Sequence, residues 1–223
     1  MSALPESPEL AAQRARMVAE QIERRGVRDP RVLDALRTVP RHCFVLEENR
    51  PIAYGDYPLS IGGGQTISQP YIVALMTELA QVAPDSRVLE IGAGCGYQAA
   101  VLACLAERVI AIERVESLAE AARGTLGLLG IRNVEVVCAD GSGGWPDDAP
   151  YQAILVSAAA PDVPAPLLAQ LAEGGRLVIP VGGRSVQTLQ VWHKQGGQCQ
   201  LRDGIPVSFV PLLGKFGWPG AGF

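Results

Sequence analysis

The sequence predicts an α/β protein with a doubly wound, mostly parallel sheet, additional N-terminal helices and an antiparallel edge. Strand-like and helix-like segments alternate from residue 87 onward, and such alternation gives parallel strands joined by right-handed helical crossovers. A glycine-rich turn follows the first of these strands. The chain has 223 residues, 48% of them hydrophobic, which is enough to bury one full core. We therefore expect a single domain over residues 1–223.

The N-terminal part is predicted to be helical up to a glycine-rich loop. Apolar residues recur at helical spacing over residues 9–25. A second helix is expected after Asp29-Pro30, because Asp caps a helix and Pro suits its first position, and it should end near residues 39–40. Glycines and polar residues predict a loop over residues 54–70, followed by a helix over residues 70–81.

The α/β part is predicted from apolar runs that change period. Its segments are strands at residues 87–91, 108–113, 134–138, 151–157 and 176–181, and helices at residues 97–106, 115–129 and 164–172. Gly130 is a natural C-terminal cap for the second of these helices. Two more apolar segments, residues 188–193 and 207–213, follow with glycine-rich links that are too short for helical crossovers. They predict the antiparallel edge.

Composition restricts the classes of partner. The net charge of −4 and a pI near 5.3 disfavour a nucleic-acid surface. No apolar run is long enough to cross a membrane, and the first residues lack the pattern of a signal peptide. The five cysteines are scattered without a C-x-x-C pair, so we expect reduced, buried thiols and no zinc site. We expect a cytoplasmic protein with neither nucleic-acid nor membrane partners.

The first predicted strand leads into a turn that favours ligand binding. Ligands of open α/β sheets bind beyond the carboxyl ends of the strands, and here Glu90 and Ile91 are followed by Gly92-Ala93-Gly94-Cys95-Gly96. Glycines allow a tight turn and let a ligand approach the backbone. The third glycine comes one position earlier than the dinucleotide fingerprint requires. An acid at Glu90 would repel a pyrophosphate but favour an amino group or a sulfonium.

Two further acids follow the next two strands. Glu113 can accept hydrogen bonds from ribose hydroxyls, a feature shared with NAD enzymes, and Asp140 could meet an adenine amino group. Together with Glu90 they match a cationic nucleoside ligand that has no phosphates. The alternative is that Glu113 and Asp140 only cap the helices that follow them.

Other segments carry a more specific resemblance. Val39-Pro40-Arg41 with Phe44-Val45, and above all the run Ile61-Gly62-Gly63-Gly64-Gln65-Thr66-Ile67-Ser68-Gln69-Pro70-Tyr71, resemble the protein-L-isoaspartate O-methyltransferases, a family of class I methyltransferases with a Rossmann-like fold. The resemblance spans nearly the whole chain from about residue 10. Departures are Ser60, Cys95 and Ala139, where this family usually has proline, serine and glycine.

This resemblance implies an activity and a cofactor. The expected reaction transfers a methyl group from S-adenosyl-L-methionine to the free α-carboxylate of L-isoaspartyl residues, which starts repair through a succinimide. The expected acceptors are isoaspartyl peptides and unfolded or damaged proteins, and the expected oligomeric state is a monomer. Residues 1–80 would supply the substrate loop, and residues 85–223 the cofactor-binding core.

The resemblance also implies roles for individual residues. Ser68 matches the active-site serine of the family, although capping of the helix at Pro70 is an alternative role. The implied cofactor-binding residues, with S-adenosyl-L-homocysteine as product, are Gln65, Thr66, Ile67, Ser68, Glu90, Gly92, Ala93, Gly94, Cys95, Gly96, Glu113, Arg114, Asp140 and Gly141. No metal is implied.

Three other functions compete with this interpretation. A related carboxyl methyltransferase with a dedicated peptide substrate would use the same residues. A non-catalytic binding domain would have little need for Glu90, Glu113, Asp140 and Ser68 together. An NAD-dependent dehydrogenase conflicts with the glycine spacing and with Glu90.

Overall fold

A computed structural model describes residues 7–219, without the side chain of residue 203. Helix α1 (Pro8–Arg16) is capped by Ser7, whose Oγ accepts a hydrogen bond from the Leu10 N–H. A π-helical segment (Met17–Ile22) and a short 3-10 turn replace the rest of the predicted helix, which ends at Gly26, with a φ of 101°. The expectation about a signal peptide concerns residues that mostly lie outside this description.

The predicted cap of the second helix is confirmed. Helix α2 (Pro30–Thr38) begins after Asp29, whose side chain accepts a hydrogen bond from the Arg31 N–H at 2.9 Å. The buried Arg41 that follows donates from Nε to the Ala53 carbonyl at 2.8 Å, and its guanidinium lies 5.0 Å from the centre of the Tyr97 ring. This contact fixes the N-terminal part of the chain against the helix that follows the glycine turn.

The predicted loop over residues 54–70 contains a β-hairpin, so that prediction was incomplete. Strands β1 (Leu59–Gly62) and β2 (Gln65–Ile67) pair antiparallel. Gly63 and Gly64 join them with φ values of 58° and 71°, and positive φ at both central positions is what the tight hairpin turn requires. Helix α3 (Pro70–Ala80) follows as predicted.

The main sheet has seven strands in the order β5-β4-β3-β6-β7-β8-β9. The strands are β3 (Arg87–Ile91), β4 (Arg108–Glu113), β5 (Val134–Cys138), β6 (Tyr151–Val156), β7 (Leu171–Gly182), β8 (Gln187–Gln195) and β9 (Gln198–Val207). The first five pair in parallel with one another, whereas β7-β8 and β8-β9 pair antiparallel. The doubly wound fold with an antiparallel edge is confirmed.

The sheet is covered on both faces. Along β3, Val88 belongs to the hydrophobic cluster that includes the N-terminal helices, whereas Leu89 and Ile91 belong to the cluster on the opposite face. The helices between the strands are α4 (Tyr97–Ala103), α5 (Glu116–Leu128) and α6 (Ala165–Ala169). Because both faces are buried, the central strands are almost continuously apolar.

Three details of the prediction are wrong. The segment at residues 207–213 forms isolated bridges rather than an edge strand, whose place is taken by the more polar β9. Helix α6 ends at Ala169, since the long strand β7 already begins at Leu171. Cys104 and Cys138 are exposed rather than buried, although all five cysteines are free. Within residues 7–219, no helix is long and apolar enough to span a membrane.

Candidate active site

The site lies where the winding of the sheet reverses. The chain proceeds from β3 through β4 to β5 on one side, and returns through β6 and β7 on the other. Open α/β sheets bind ligands at such a switch point, beyond the carboxyl ends of the strands. Here the Ser157 N–H donates to the Ile91 carbonyl at 2.8 Å, so the residues after β3 and β6 lie side by side.

The glycine turn after β3 has the backbone that its sequence predicts. Gly92, Gly94 and Gly96 have φ values of 82°, 54° and 86°, a region that side chains other than glycine rarely adopt. A Cβ at Gly96 would lie 3.1 Å from the Ala122 side chain. Gly96 thus serves the packing of α4 against α5, and a Cβ at Gly94 would lie 3.1 Å from Ile61 Cδ1.

Two small cavities border this turn, and a large cavity shares Ser157 with one of them. The large cavity, of about 710 Å³, is bordered by β2, the start of α3 and residues 205–210. The Glu90 cavity, of about 30 Å³, lies between β2 and the glycine turn, and the Glu113 cavity, of about 50 Å³, lies between Gln65 and the ends of β4 and β5. Pockets for small molecules usually measure about 300–1,000 Å³, so each of the two small cavities encloses less space than a whole nucleoside occupies.

Glu90 is a completely buried carboxyl group. Neither of its carboxylate oxygens has a hydrogen-bond partner among residues 7–219. Burial raises the pKa of Glu90 to about 8, and the negative charge of Glu113 adds to this. The Ser157 side chain lowers the pKa of Glu90 in part, although it makes no hydrogen bond with the carboxylate. An unpaired buried carboxyl is costly, so this position is suited to a cationic ligand group.

Glu113 already has backbone partners. Its Oε2 accepts a hydrogen bond from the Gly94 N–H and its Oε1 one from the Val115 N–H, both at 2.8 Å. These bonds hold the glycine turn against the start of α5. Each carboxylate oxygen has two acceptor positions, so Glu113 can still accept hydrogen bonds from two ligand hydroxyls in the Glu113 cavity.

Asp140 is more fully engaged than the sequence suggests. Its two oxygens accept hydrogen bonds from the Ser142 and Lys215 N–H groups, each at 2.9 Å. Although burial raises its pKa, these backbone donors outweigh that effect and leave the pKa below its usual value. The carboxylate thus caps the turn after β5 and holds the segment around Lys215.

Ser68 lies between β2 and α3 and does not cap the helix. Gln69 is the residue before α3, and it makes no side-chain capping bond. Ser68 borders both the large cavity and the Glu90 cavity, as do Thr66 and Ser157. These three residues therefore lie at the boundary between the two cavities.

Most of the predicted site residues lie around these cavities. Thr66, Ile67, Ser68, Glu90, Gly92, Ala93, Gly94 and Cys95 border the Glu90 cavity, and Gln65, Gly92, Glu113, Arg114 and Gly141 border the Glu113 cavity. Gly96 and Asp140 border neither. The sequence did not lead us to predict Ser157 as a site residue, although it is a polar residue directly after the fourth strand of the α/β part, and that position was a usable signal.

The cavities contain no obvious covalent nucleophile. Part of Cys95 is exposed, but its thiol is enclosed enough for burial to raise its pKa to about 11. A thiol with such a pKa is protonated at neutral pH. His42 lies elsewhere, hydrogen-bonded through Nδ1 to the Tyr54 hydroxyl at 2.8 Å. Over the described part of the chain, no group of His, Cys, Asp and Glu could hold a metal ion.

Comparison with known proteins gives a consistent result over nearly the whole chain. The sequence profile of the family described as Protein-L-isoaspartate(D-aspartate) O-methyltransferase (PCMT) matches residues 12–217. A protein-L-isoaspartate O-methyltransferase of Methanoregula boonei is 55% identical over 206 residues, covering 92% of this chain and 95% of its own. The protein of that name from Koribacter versatilis is 52% identical over 218 residues, or 98% of both chains.

A solved structure agrees in fold. The beta-aspartate methyltransferase (PCMT) from Plasmodium falciparum, in complex with S-adenosyl-L-homocysteine, superposes with a TM-score of 0.75 at 27% identity. The match covers 90% of this chain and 98% of the other. The similarity thus extends well beyond the parallel sheet.

Proposed function

Because the chain belongs to the protein-L-isoaspartate(D-aspartate) O-methyltransferase family, we propose specific roles for its own residues in that reaction. The protein is an S-adenosylmethionine-dependent enzyme that methylates the free α-carboxylate of isoaspartyl residues and so initiates repair through a succinimide. The proposal concerns how the site divides into a cofactor side and an acceptor side, and which residues act on each.

On the cofactor side, Glu90 receives the α-amino group of the methyl donor. Two properties support this role: the carboxyl is fully buried, and its oxygens lack partners within residues 7–219. The glycine turn admits the adjoining part of the ligand, since Gly92 and Gly94 present no side chain to the cavity. A cation beside Glu90 also offsets the repulsion between Glu90 and Glu113.

Ribose and adenine would lie along the Glu113 cavity. Glu113 receives the ribose hydroxyls, while Gln65, Arg114 and Gly141 border the same space. A Cβ at Gly141 would lie 3.0 Å from Ile91 Cγ2, so glycine keeps this floor close to the sheet. Asp140, held by the Ser142 and Lys215 N–H groups, acts here mainly by shaping the adenine end.

On the acceptor side, Ser68 orients the carboxylate that receives the methyl group. The observation that carries this proposal is that Ser68 borders both the large cavity and the Glu90 cavity, together with Thr66 and Ser157. A hydroxyl can donate to a carboxylate oxygen without taking a proton from it. The hydroxyls of Thr66 and Ser157 complete a neutral hydrogen-bonding rim.

No general base is needed, because a carboxylate with an ordinary pKa is already ionised at neutral pH. The S-adenosyl group supplies an electrophilic methyl on a sulfonium. The residues of the chain contribute by alignment and by exclusion of water from the reacting atoms. This accounts for the absence of histidine among the described residues that line the three cavities.

We place the reaction in the cytoplasm, on isoaspartyl peptides and unfolded or damaged proteins, with the enzyme acting as a monomer. An accessible acceptor is consistent with a large cavity that opens beside exposed residues such as Pro58 and Ser208. A folded domain would have to extrude the isoaspartyl residue to reach Ser68. A dedicated peptide substrate is the alternative.

The deciding experiment uses paired peptides that carry isoaspartate or aspartate at the same position, with radiolabelled methyl donor. We expect base-labile methyl ester on the isoaspartyl peptide only, because a displacement of about 1 Å can cost about a hundredfold in rate. Equal labelling of both peptides would contradict the acceptor assignment. Labelling of neither, with cofactor binding intact, would favour the dedicated substrate.

A further inference from the structure

Arg25 has an unexpected place in the large cavity. It precedes Gly26 at the end of the N-terminal helical region, yet it lies beside the residues that surround Ser68. Of the described residues that line this cavity, Arg25 alone carries a charge at neutral pH. The rest of the lining is hydroxyl, amide, aromatic or aliphatic, so a charged group of an acceptor would find one cationic partner here.

The guanidinium is held in position by two neighbours. Its NH1 lies 2.7 Å from Asp56 Oδ2, and its Cζ lies 3.5 Å from the centre of the Tyr71 ring. The side chain remains 42% exposed. Stacking on an aromatic ring and a fixed ion pair limit the rotamers of an arginine, so little entropy is lost when it binds a ligand.

The ion pair with Asp56 leaves some of the N–H donors of Arg25 available. A guanidinium has five N–H donors, and Asp56 is the polar partner of Arg25 among residues 7–219, through NH1. Nε and NH2 keep their donors for another group. Their flat, forked arrangement matches a second carboxylate.

The reacting carboxylate is an unsuitable partner for this arginine. A close ion pair would stabilise the negative charge of the nucleophile and so slow its attack on the methyl group. Ser68, Thr66 and Ser157 border both the large cavity and the Glu90 cavity, whereas Arg25 borders the large cavity alone. A cavity of about 710 Å³ also holds more than the isoaspartyl residue itself.

We propose that Arg25, fixed by Asp56 and Tyr71, is a specificity-determining residue that favours acceptor peptides with an acidic side chain next to the isoaspartyl residue and disfavours those with a basic one. The inference rests on the proposed function. Exposed ion pairs contribute little to binding, so we expect an acidic neighbour to raise kcat/KM by about 1.4- to fivefold over a neutral one, which corresponds to about 0.2–1 kcal/mol.

The test compares isoaspartyl peptides that differ only in a neighbouring Glu, Gln or Lys, in one series before and in another after the isoaspartyl residue. Both peptide ends are blocked, so that a terminal carboxylate cannot replace the side chain. For the wild type we expect kcat/KM to decrease from Glu to Gln to Lys in at least one series. The preference should shrink at high ionic strength, because salt screens exposed charges.

Arg25→Met should abolish the preference, because methionine can still cover Tyr71 but carries no charge. Arg25→Lys should keep its direction. Arg24→Met is the matched control, since Arg24 is an exposed neighbour outside the cavity lining, and it should behave as the wild type. A melting curve for each variant checks that the fold is intact.

The proposal is overturned if the wild type does not distinguish the three peptides, or prefers Lys. It is also overturned if Arg25→Met keeps the wild-type order or lowers kcat/KM equally for all three peptides. Absence of methylation on every isoaspartyl peptide would refute the proposed function and this inference with it. Methylation without any charge preference would refute the role of Arg25 alone.

Discussion

Replacement of Glu90 by glutamine tests how the buried carboxyl is coupled to cofactor binding. Burial and the neighbouring Glu113 raise the pKa of Glu90 to about 8 in the cofactor-free protein. At pH 7 only about a tenth of the molecules carry the carboxylate that an α-ammonium group requires. Binding should therefore release about 0.9 proton at pH 7, and the ionisation should cost about 1.4 kcal/mol of the affinity.

Titration calorimetry with S-adenosylhomocysteine in buffers of different ionisation enthalpy measures this proton release. The wild type should release close to one proton near pH 7, and its affinity should rise about tenfold per unit between pH 6 and pH 7. Glu90→Gln should bind more weakly and release no proton. Equal proton release in both proteins, or a wild-type affinity that does not change from pH 6 to pH 8, would refute the role of Glu90.

The stability of the cofactor-free protein provides a control, because Glu90→Gln should stabilise the protein while it weakens cofactor binding. The folded protein raises the pKa of Glu90 from its ordinary value of 4.5 to about 8. Between these values the folded state holds a proton that the unfolded state has lost, so stability falls as pH rises. Glu90→Gln removes this loss and should raise the melting temperature more at pH 8 than at pH 5. Weaker binding by a more stable variant cannot be due to unfolding.

Three further substitutions test the other proposed roles. Glu113→Ala should weaken cofactor affinity about ten- to hundredfold, because hydrogen bonds to a charged group contribute about 1.5–3 kcal/mol; unchanged affinity in calorimetry would limit Glu113 to holding Gly94 and Val115. Ser68→Ala should lower the rate of methyl transfer to an isoaspartyl peptide and leave cofactor affinity unaltered, and the reverse result would contradict its place on the acceptor side. Gly141→Ala should reduce the free energy of unfolding by about 1–3 kcal/mol in urea titration, since its Cβ would meet Ile91 at 3.0 Å.

The parallel strands were predictable because burial on both faces makes them almost continuously apolar. Residues 87–91 and 108–113 were assigned with the bounds that β3 and β4 have. At the antiparallel edge of the sheet this signal disappears. Strand β9 is largely polar and exposed, and its hairpin with β8 depends on Gly196 and Gly197, with φ values of 60° and 75°. The apolar residues after it suggested an edge strand, but they cover the sheet without forming a ladder.

The two sides of the site differ in how much the sequence could reveal. Glu90, Glu113 and Asp140 each follow a predicted strand, so the order of the strands was enough to predict a cationic nucleoside ligand. The proposed acceptor side is assembled from distant segments: Arg25 meets Asp56 across 31 positions, and Ser68 and Ser157 border the same cavity from distant parts of the chain. No local pattern encodes such contacts, because they depend on how the hairpin and α3 pack against the end of β6.

The distribution of charge across the site explains how it can work without an acid or a base. Carboxylates lie on the proposed cofactor side, at Glu90 and Glu113, whereas the neutral residues Ser68, Thr66 and Ser157 border both the Glu90 cavity and the large cavity. Methyl transfer from a sulfonium to a carboxylate cancels one positive and one negative charge and moves no proton. In a water-poor cavity the neutral products are favoured over the charged sulfonium and carboxylate, since a low dielectric strengthens the attraction between these two charges. A cationic residue beside Ser68 would oppose it by stabilising the carboxylate before reaction. The position of Arg25, in the large cavity but outside the lining shared with the Glu90 cavity, is therefore compatible with catalysis as well as with selection of the acceptor.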